Sequence, residues 1–317
     1  MSLPWLKNNI EQFTSLVTEQ RVPHAILLSA KEGMGKVDLA KEMAQLALCE
    51  NVTSTGACFQ CGACELLKAG NHTDLTLIKA ENAVIKVSQI RQLTSDVVLT
   101  SSKNQHKVII IEEAEKMNAS SANALLKTLE EPPQKVLIIL TTNEIGRLLP
   151  TIKSRCVKIN VPPPSHDTAS KWLAKQCESK IEDINFALFI SDNSPLVACS
   201  ILQNNTLDEV KNMVKDLLAL QQQSVELLEV SKKWYSNNWH HHLNYISVIL
   251  LNNLALKQGL KSAIDNCFIM NVPEHGLLLF VKSIYRFSKR LGLPLKVELQ
   301  LEKLLLTWKN ACGSANH

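Results

Sequence analysis

Long apolar runs, glycine and any strong bias of charge are all scarce in this chain of 317 residues. Unbroken apolar runs such as Val136 to Leu140 fall far short of the roughly 18 residues that a membrane-spanning helix needs. Met1 to Asn9 carries no apolar stretch of the roughly 7 to 15 residues typical of an export signal, so a cytoplasmic location is expected. Lys plus Arg exceed Asp plus Glu by only 34 to 30, spread evenly, which excludes a polybasic arm or an acidic tail. No low-complexity tract or solenoid-period repeat occurs. With 45% hydrophobic residues, the composition is that of a folded protein of two or three domains.

Nine cysteines are present, an odd number, and without an export signal this argues against a disulfide framework. Cys156, Cys177, Cys199, Cys267 and Cys312 are scattered, whereas Cys49, Cys58, Cys61 and Cys64 follow the spacing C-x8-C-x2-C-x2-C. Four thiolates make a closed, soft, tetrahedral site suited to structural zinc. Alternatives are an iron–sulfur cluster or unliganded thiols. Ferredoxin-type runs add a further Cys and then Pro, while Cys64 is followed by Glu65-Leu66-Leu67-Lys68. His72 is near enough in sequence to serve as a substitute ligand.

Glycine numbers only ten, and half of these lie between Gly33 and Gly70, so turn chemistry is concentrated early in the chain. Up to about residue 160, apolar β-rich runs alternate with helical stretches. The runs are Ala25 to Ser29, Leu75 to Lys79, Val108 to Ile111, Val136 to Thr141 and Val157 to Val161; the helices include Val37 to Cys49, Val87 to Leu99 and Ser120 to Glu130. Such a pattern predicts buried parallel strands in a three-layer α/β domain. Three successive prolines, Pro162 to Pro164, then read as a linker. Beyond them the patterns are helical, with no Gly or Pro from 196 to 258 and an amphipathic stretch from Leu207 to Leu220. The expected divisions are residues 1–163, 164–206 and 207–317.

The strand Ala25 to Ser29 runs into Ala30-Lys31-Glu32-Gly33-Met34-Gly35-Lys36-Val37 and then a helix, the arrangement of a phosphate-binding loop. Gly33, Gly35 and Lys36 occupy its working places. Two parts are missing: Ala30 replaces the first glycine, and Val37 replaces the hydroxyl that would hold magnesium. The strand Val108 to Ile111 ends in Glu112-Glu113, where an NTPase carries a magnesium-holding Asp and a water-activating Glu. Equally, two acids there suit a helix N-terminus.

The segment Asn123-Ala124-Leu125-Leu126-Lys127-Thr128-Leu129-Glu130-Glu131-Pro132-Pro133, the strand after it and Ser154-Arg155-Cys156 together resemble the AAA+ clamp-loader family. The likeness extends to the eroded phosphate loop, the cysteine insertion and Pro4-Trp5-Leu6. It implies an α/β RecA-like domain with a parallel sheet, a small helical lid domain and an all-α C-terminal oligomerisation collar. On its residues alone, Arg155 either stabilises charge on a γ-phosphate or pairs with a carboxylate at a domain edge. The resemblance implies the former, as a finger serving a neighbouring subunit. Thr141-Thr142-Asn143 resembles the family's first sensor, whereas Asn193-Ser194-Pro195-Leu196 lacks the cation of the second. Intrinsic ATPase activity is therefore not expected, within the loader of a replicative DNA polymerase, a nucleotidyltransferase assembly. Implied partners are ATPase motor subunits and a clamp-opening subunit in a hetero-pentameric ring, the sliding clamp, and primer–template DNA through the complex.

Two other functions remain open on the residues: an active ATP-hydrolysing motor subunit, favoured by Lys36, Glu113 and Arg155, and a zinc-stabilised nucleic-acid-binding module. The latter draws on Lys282, Arg286, Lys289, Arg290 and Lys296, a stretch free of acids that could equally be a solvated helix face. His240-His241-His242 points in three directions on a helix and is not expected to bind metal.

Overall fold

The structure is a computed structural model that describes residues 3–98, 106–260, 270, 272–291 and 296–313. Two compact units divide at the proline stretch, residues 1–164 and 165–317. Leu99 and Cys267, named above, lie outside the described residues.

The first unit runs α1 (Lys7–Thr18), β1 (Ala25–Ser29), α2 (Lys36–Leu48), α3 (Gly62–Lys68), β2 (Leu75–Ile78), α4 (Val87–Val98), β3 (Lys107–Ile111), α5 (Ala119–Glu130), β4 (Val136–Thr142), α6 (Pro150–Lys153) and β5 (Val157–Asn160). Its sheet has the order β2-β3-β4-β1-β5, with every pair parallel. Register sets which side chains go where. Ala25, Leu27, Ile109, Ile111, Ile138 and Leu140 share a core with Ile90 and Leu93 of α4 and Leu125 and Leu129 of α5. The intervening Ile26, Leu28, Val108, Ile110, Leu137 and Ile139 point to the opposite face, where α2 packs, and all are fully buried. Both faces being covered explains why these strands read as continuous apolar runs.

The sheet brings its functional segments to one edge, because parallel strands all end on the same side. The phosphate loop follows β1, Glu112 and Glu113 follow β3, and Thr141 to Asn143 close β4.

Only helices occur in the described part of the second unit: α7 (His166–Gln176), α8 (Ile181–Ile190), α9 (Pro195–Gln203), α10 (Thr206–Gln221), α11 (Leu227–Ser236), α12 (Leu243–Lys257), α13 (Glu274–Ser288) and α14 (Val297–Gly313). Apolar positions of α10 at Leu207, Val210, Met213, Val214, Leu217 and Leu220 are buried, as their spacing predicts. Trp308 of α14 donates from Nε1 to the Leu217 carbonyl at 2.8 Å and lies 4.8 Å from the Phe280 ring of α13, tying three helices together. No helix of the described residues is long and apolar enough to cross a membrane.

Candidate functional site

The phosphate loop is built as its glycines require, yet it is filled. Gly33 and Gly35 adopt φ of +75° and +82°, a region that suits glycine, and Gly35 caps the N-terminus of α2. Ala30 N–H donates to the Thr142 carbonyl at 3.2 Å, so the position of the missing glycine prolongs the β1–β4 pairing. The segment ahead of α1 closes over the turn. Trp5 Nε1–H donates to the Met34 carbonyl at 2.9 Å, and a Cβ built on Gly35 would meet Leu3 Cδ1 at 2.3 Å and Leu6 Cδ1 at 3.3 Å. Leu3, Leu6 and Met34 are all buried.

Lys36 is turned inward and 6% exposed. Its Nζ donates to Asn143 Oδ1 and, at 3.4 Å, to the Lys31 carbonyl. Burial pushes its pKa below the usual lysine value, against the opposing pull of Glu115, Glu32 and Glu113. The ammonium that would reach phosphate is thus held by the polar residue at the end of β4.

Glu115 was not singled out from the sequence, because nothing in its spacing marks it. Its Oε1 accepts from Asn143 N–H at 3.0 Å. Burial alone would raise its pKa, but hydrogen bonds from its own backbone, from Asn143 and from Thr142 outweigh that and hold it below the ordinary glutamate value. The expected acids sit differently. Glu112 pairs with Lys79 at 3.3 Å beyond the neighbouring strand, and Glu113, at φ +51°, pairs with Lys116 at 2.6 Å. Glu113 N–H also donates to Thr141 Oγ1 at 3.1 Å. The structure therefore gathers Gly33, Gly35, Lys36 and Asn143, with Glu113 and Glu115 close enough to act on the lysine. Glu112 belongs to the β2–β3 edge.

These residues do not fit a magnesium nucleotide. Val37 offers no hydroxyl, Lys36 is engaged, and Leu3 stands on the Gly35 turn. Among the described residues, two buried carboxylate oxygens without a hydrogen-bond partner, Glu112 Oε1 and Glu115 Oε2, are the features that would welcome a cation. In the second unit, Ser194 stands at the N-cap of α9 and Pro195 begins it, and the segment Asn193 to Leu196 carries no cation.

Arg155 is reached from a different direction. α6 begins at Pro150 and is only four residues long, so the chain turns sharply into Ser154-Arg155-Cys156 ahead of β5. Cys156 is buried in the sheet core and anchors the turn, its thiol pushed up to about 11 by burial. Arg155 stays partly exposed. Its Nη2 pairs with Glu130 Oε1 at 2.7 Å, and Nη1 donates to the Thr151 carbonyl at 3.0 Å.

The four cysteines converge between α2 and β2. Cys49 ends α2, Cys61 precedes α3 and Cys64 lies within it, and all four Sγ atoms lie within 4.8 Å of one another. A Zn–S bond of about 2.3 Å implies tetrahedral S···S separations of about 3.8 Å, close to the 3.5 Å between Cys49 and Cys58. Backbone N–H groups already aim at the sulfurs, from Cys58 to Cys49 at 3.3 Å and from Glu50 to Cys61 at 3.5 Å. Hydrogen bonds, led by that from the Gln60 backbone, lower the Cys58 thiol to about 6, while burial pushes Cys64 up to about 12. His72 faces elsewhere, its Nδ1 accepting from Asp74 N–H at 3.1 Å. His240 to His242 form a short 3-10 turn, with His242 Nε2 against Glu209 at 2.8 Å and no metal grouping among the described residues.

The family described as DNA polymerase III, delta subunit, matches residues 5–165. The DNA polymerase III subunit delta' of Pseudomonas aeruginosa is 37% identical over 216 residues, which cover 67% of this chain and 66% of that protein. The subunit of the same name from Buchnera aphidicola subsp. Schizaphis graminum is 28% identical over 98% of both chains. A solved DNA polymerase III gamma subunit-related protein from Thermotoga maritima superposes with a TM-score of 0.53 at 20% identity, covering 95% of this chain and 99% of that one. That last likeness concerns the fold.

Proposed function

Because the chain belongs to the delta prime family of DNA polymerase III clamp-loader subunits, we propose that it is a non-hydrolysing stator that lends Arg155 to a neighbouring ATPase subunit. The observation that carries this reading is the sealed phosphate loop, in which Lys36 is bonded to Asn143 and Leu3 occupies the turn. An active motor would need Lys36 free and a hydroxyl at position 37. A cation after α6, oriented by backbone and only partly exposed, is what an adjacent γ-phosphate requires.

In this reading the second unit comprises a lid, residues 164–206, and a collar, residues 207–317, that joins a hetero-pentameric ring. Its partners are the ATPase motor subunits and the clamp-opening delta subunit, with the sliding clamp and primer–template DNA met through the complex in the cytoplasm. Zinc on Cys49, Cys58, Cys61 and Cys64 is structural: it pins the excursion between α2 and β2, and all four positions are thiolates, leaving none for water.

The test is Arg155→Ala in a reconstituted loader. The chain stays folded, and DNA-stimulated ATP hydrolysis falls to what the other ATP sites supply, since a finger is worth about 10³ to 10⁵ in rate at its own site. Unchanged hydrolysis overturns the role.

A further inference from the structure

Two of the cysteines that lie scattered along the sequence are brought together in the second unit. Cys177 stands at the C-terminus of α7 and Cys199 in the second turn of α9, 22 positions later, and their Sγ atoms are 3.4 Å apart. Both are free thiols. Neither belongs to the four-cysteine cluster, which lies in the first unit, and the proposed role leaves both unused.

A disulfide has an S–S bond of about 2.05 Å, so these sulfurs need to approach by about 1.4 Å, within the reach of side-chain rotation. The two differ in access. Cys177 is 8% exposed, whereas Cys199 is only half-buried, so a small solute meets Cys199 first and Cys177 lies behind it. That is the arrangement of an attacking thiol with a resolving partner. Burial pushes the Cys199 thiol up to about 11, and its contact with Cys177 adds to the rise. At neutral pH the pair therefore rests as thiols, and attack by Cys199 quickens about tenfold per pH unit as its thiolate fraction grows.

We propose that Cys177 and Cys199 form a site of reversible oxidation by hydrogen peroxide, closing as a disulfide that clips α7 to α9. A small, uncharged oxidant suits a thiol that is only partly open to solvent. The clip encloses α8, so the first three helices of the second unit become one covalently closed loop whose local opening is restrained. This goes beyond the Arg155 role and stands or falls separately from it.

The chemistry balances in two steps. The Cys199 thiolate attacks one peroxide oxygen, the O–O bond breaks, hydroxide leaves and Cys199 becomes a sulfenic acid. The Cys177 sulfur then attacks Cys199 Sγ, the S–S bond forms, the S–O bond breaks and a second hydroxide leaves. The two thiol protons turn both hydroxides into water. Together the sulfurs lose the two electrons that peroxide gains, and a thiol reductant reverses the change by exchange.

The experiment treats the full-length chain with hydrogen peroxide, alkylates the remaining thiols, digests without reduction and maps the peptides by mass spectrometry. Wild type yields linked peptides carrying Cys177 and Cys199, lighter by two hydrogens and separated again by dithiothreitol. The link forms about tenfold faster at about pH 8 than at about pH 7. In Cys177→Ser the sulfenic acid on Cys199 finds no resolving thiol and is trapped by dimedone, and in Cys199→Ser the thiol of Cys177 stays open to alkylation. Peptides of the four-cysteine cluster are scored separately, so oxidation there does not enter the result. Hydrogen exchange of oxidised wild type, which needs no variant, slows across residues 166–203 and is unchanged in β1, β3 and β4. Full alkylation of Cys177 and Cys199 after the cluster cysteines have oxidised overturns the proposal. So does irreversible oxidation of Cys199 in wild type without a link, or a link from either residue to another cysteine. A rate indifferent to pH overturns Cys199 as the attacking thiol, and a linked chain whose exchange does not slow overturns the clip.

Discussion

Arg155 Nη2 lies 2.7 Å from Glu130 Oε1, so the second residue after α6 is tied to the last residue of α5. Both belong to the segments that carry the family likeness, and both are partly exposed, at 34% and 48%. An exposed pair of this kind contributes about 0.2–1 kcal/mol, little enough for the guanidinium to exchange Glu130 for a phosphate. The Thr151 carbonyl on the other nitrogen fixes its orientation meanwhile.

Replacing Glu130 with Gln removes the competing charge but keeps an acceptor. If Glu130 holds Arg155 in reserve, Glu130→Gln raises DNA-stimulated ATP hydrolysis of the assembled loader by up to about fivefold, the equivalent of about 1 kcal/mol. The double variant with Arg155→Ala then behaves as Arg155→Ala alone. A fall in rate for the single variant would show that Glu130 positions the finger productively.

Lys36 offers a test by pH. Its pKa is lowered by burial from 10.5, so the unfolded chain holds this proton more tightly than the folded one. The charge therefore destabilises the fold below the lowered pKa, and this penalty fades as pH rises toward 10.5. Lys36→Met removes that dependence. Denaturant midpoints of the two proteins, compared at rising alkaline pH, should show wild type gaining on the variant. A constant difference would mean that the ammonium is not desolvated.

Metal analysis of the purified chain should return one zinc per chain, lost in Cys61→Ser. Because the four sulfurs bind an excursion outside the sheet, a chelator should speed hydrogen exchange in residues 49–70 and leave β1, β3 and β4 protected. An iron chromophore, or a metal-free chain with the same exchange pattern, would remove zinc from the account.

The sheet was legible because a strand buried on both faces must be apolar at every position, as Val108 to Ile111 and Val136 to Leu140 are. Expected and observed strands differ by a residue at their ends: β2 stops at Ile78, β3 starts at Lys107, β4 runs on to Thr142 and β5 stops at Asn160. The cysteine cluster was legible too, since its ligands lie close together in sequence. Less visible were contacts that join distant segments. Lys36 and Asn143 are 107 residues apart, and no periodicity predicts that one would neutralise the other's reach. α1 and α3 also escaped notice, the first behind the Pro4-Trp5-Leu6 signature and the second inside the cysteine spacing. Glu112 matched an expected place along the chain, but the pull of Lys79 decides where its carboxylate goes.

The plug on the phosphate loop can be tested by one cycle of substitutions. At Gly35, φ is +82° and Leu3 Cδ1 would lie 2.3 Å from a new Cβ. Gly35→Ala thus carries two penalties: left-handed strain of about 1–3 kcal/mol and a clash with a buried leucine. Leu3→Ala alone loses burial but creates no strain. If the two side chains share the space above the turn, the double variant is less destabilised than the sum of the singles, because removing Leu3 opens room for the new methyl. Denaturant unfolding of wild type, both singles and the double measures that coupling. Strict additivity would mean that the cost at Gly35 is conformational alone, and that Leu3 does not bear on the loop in solution.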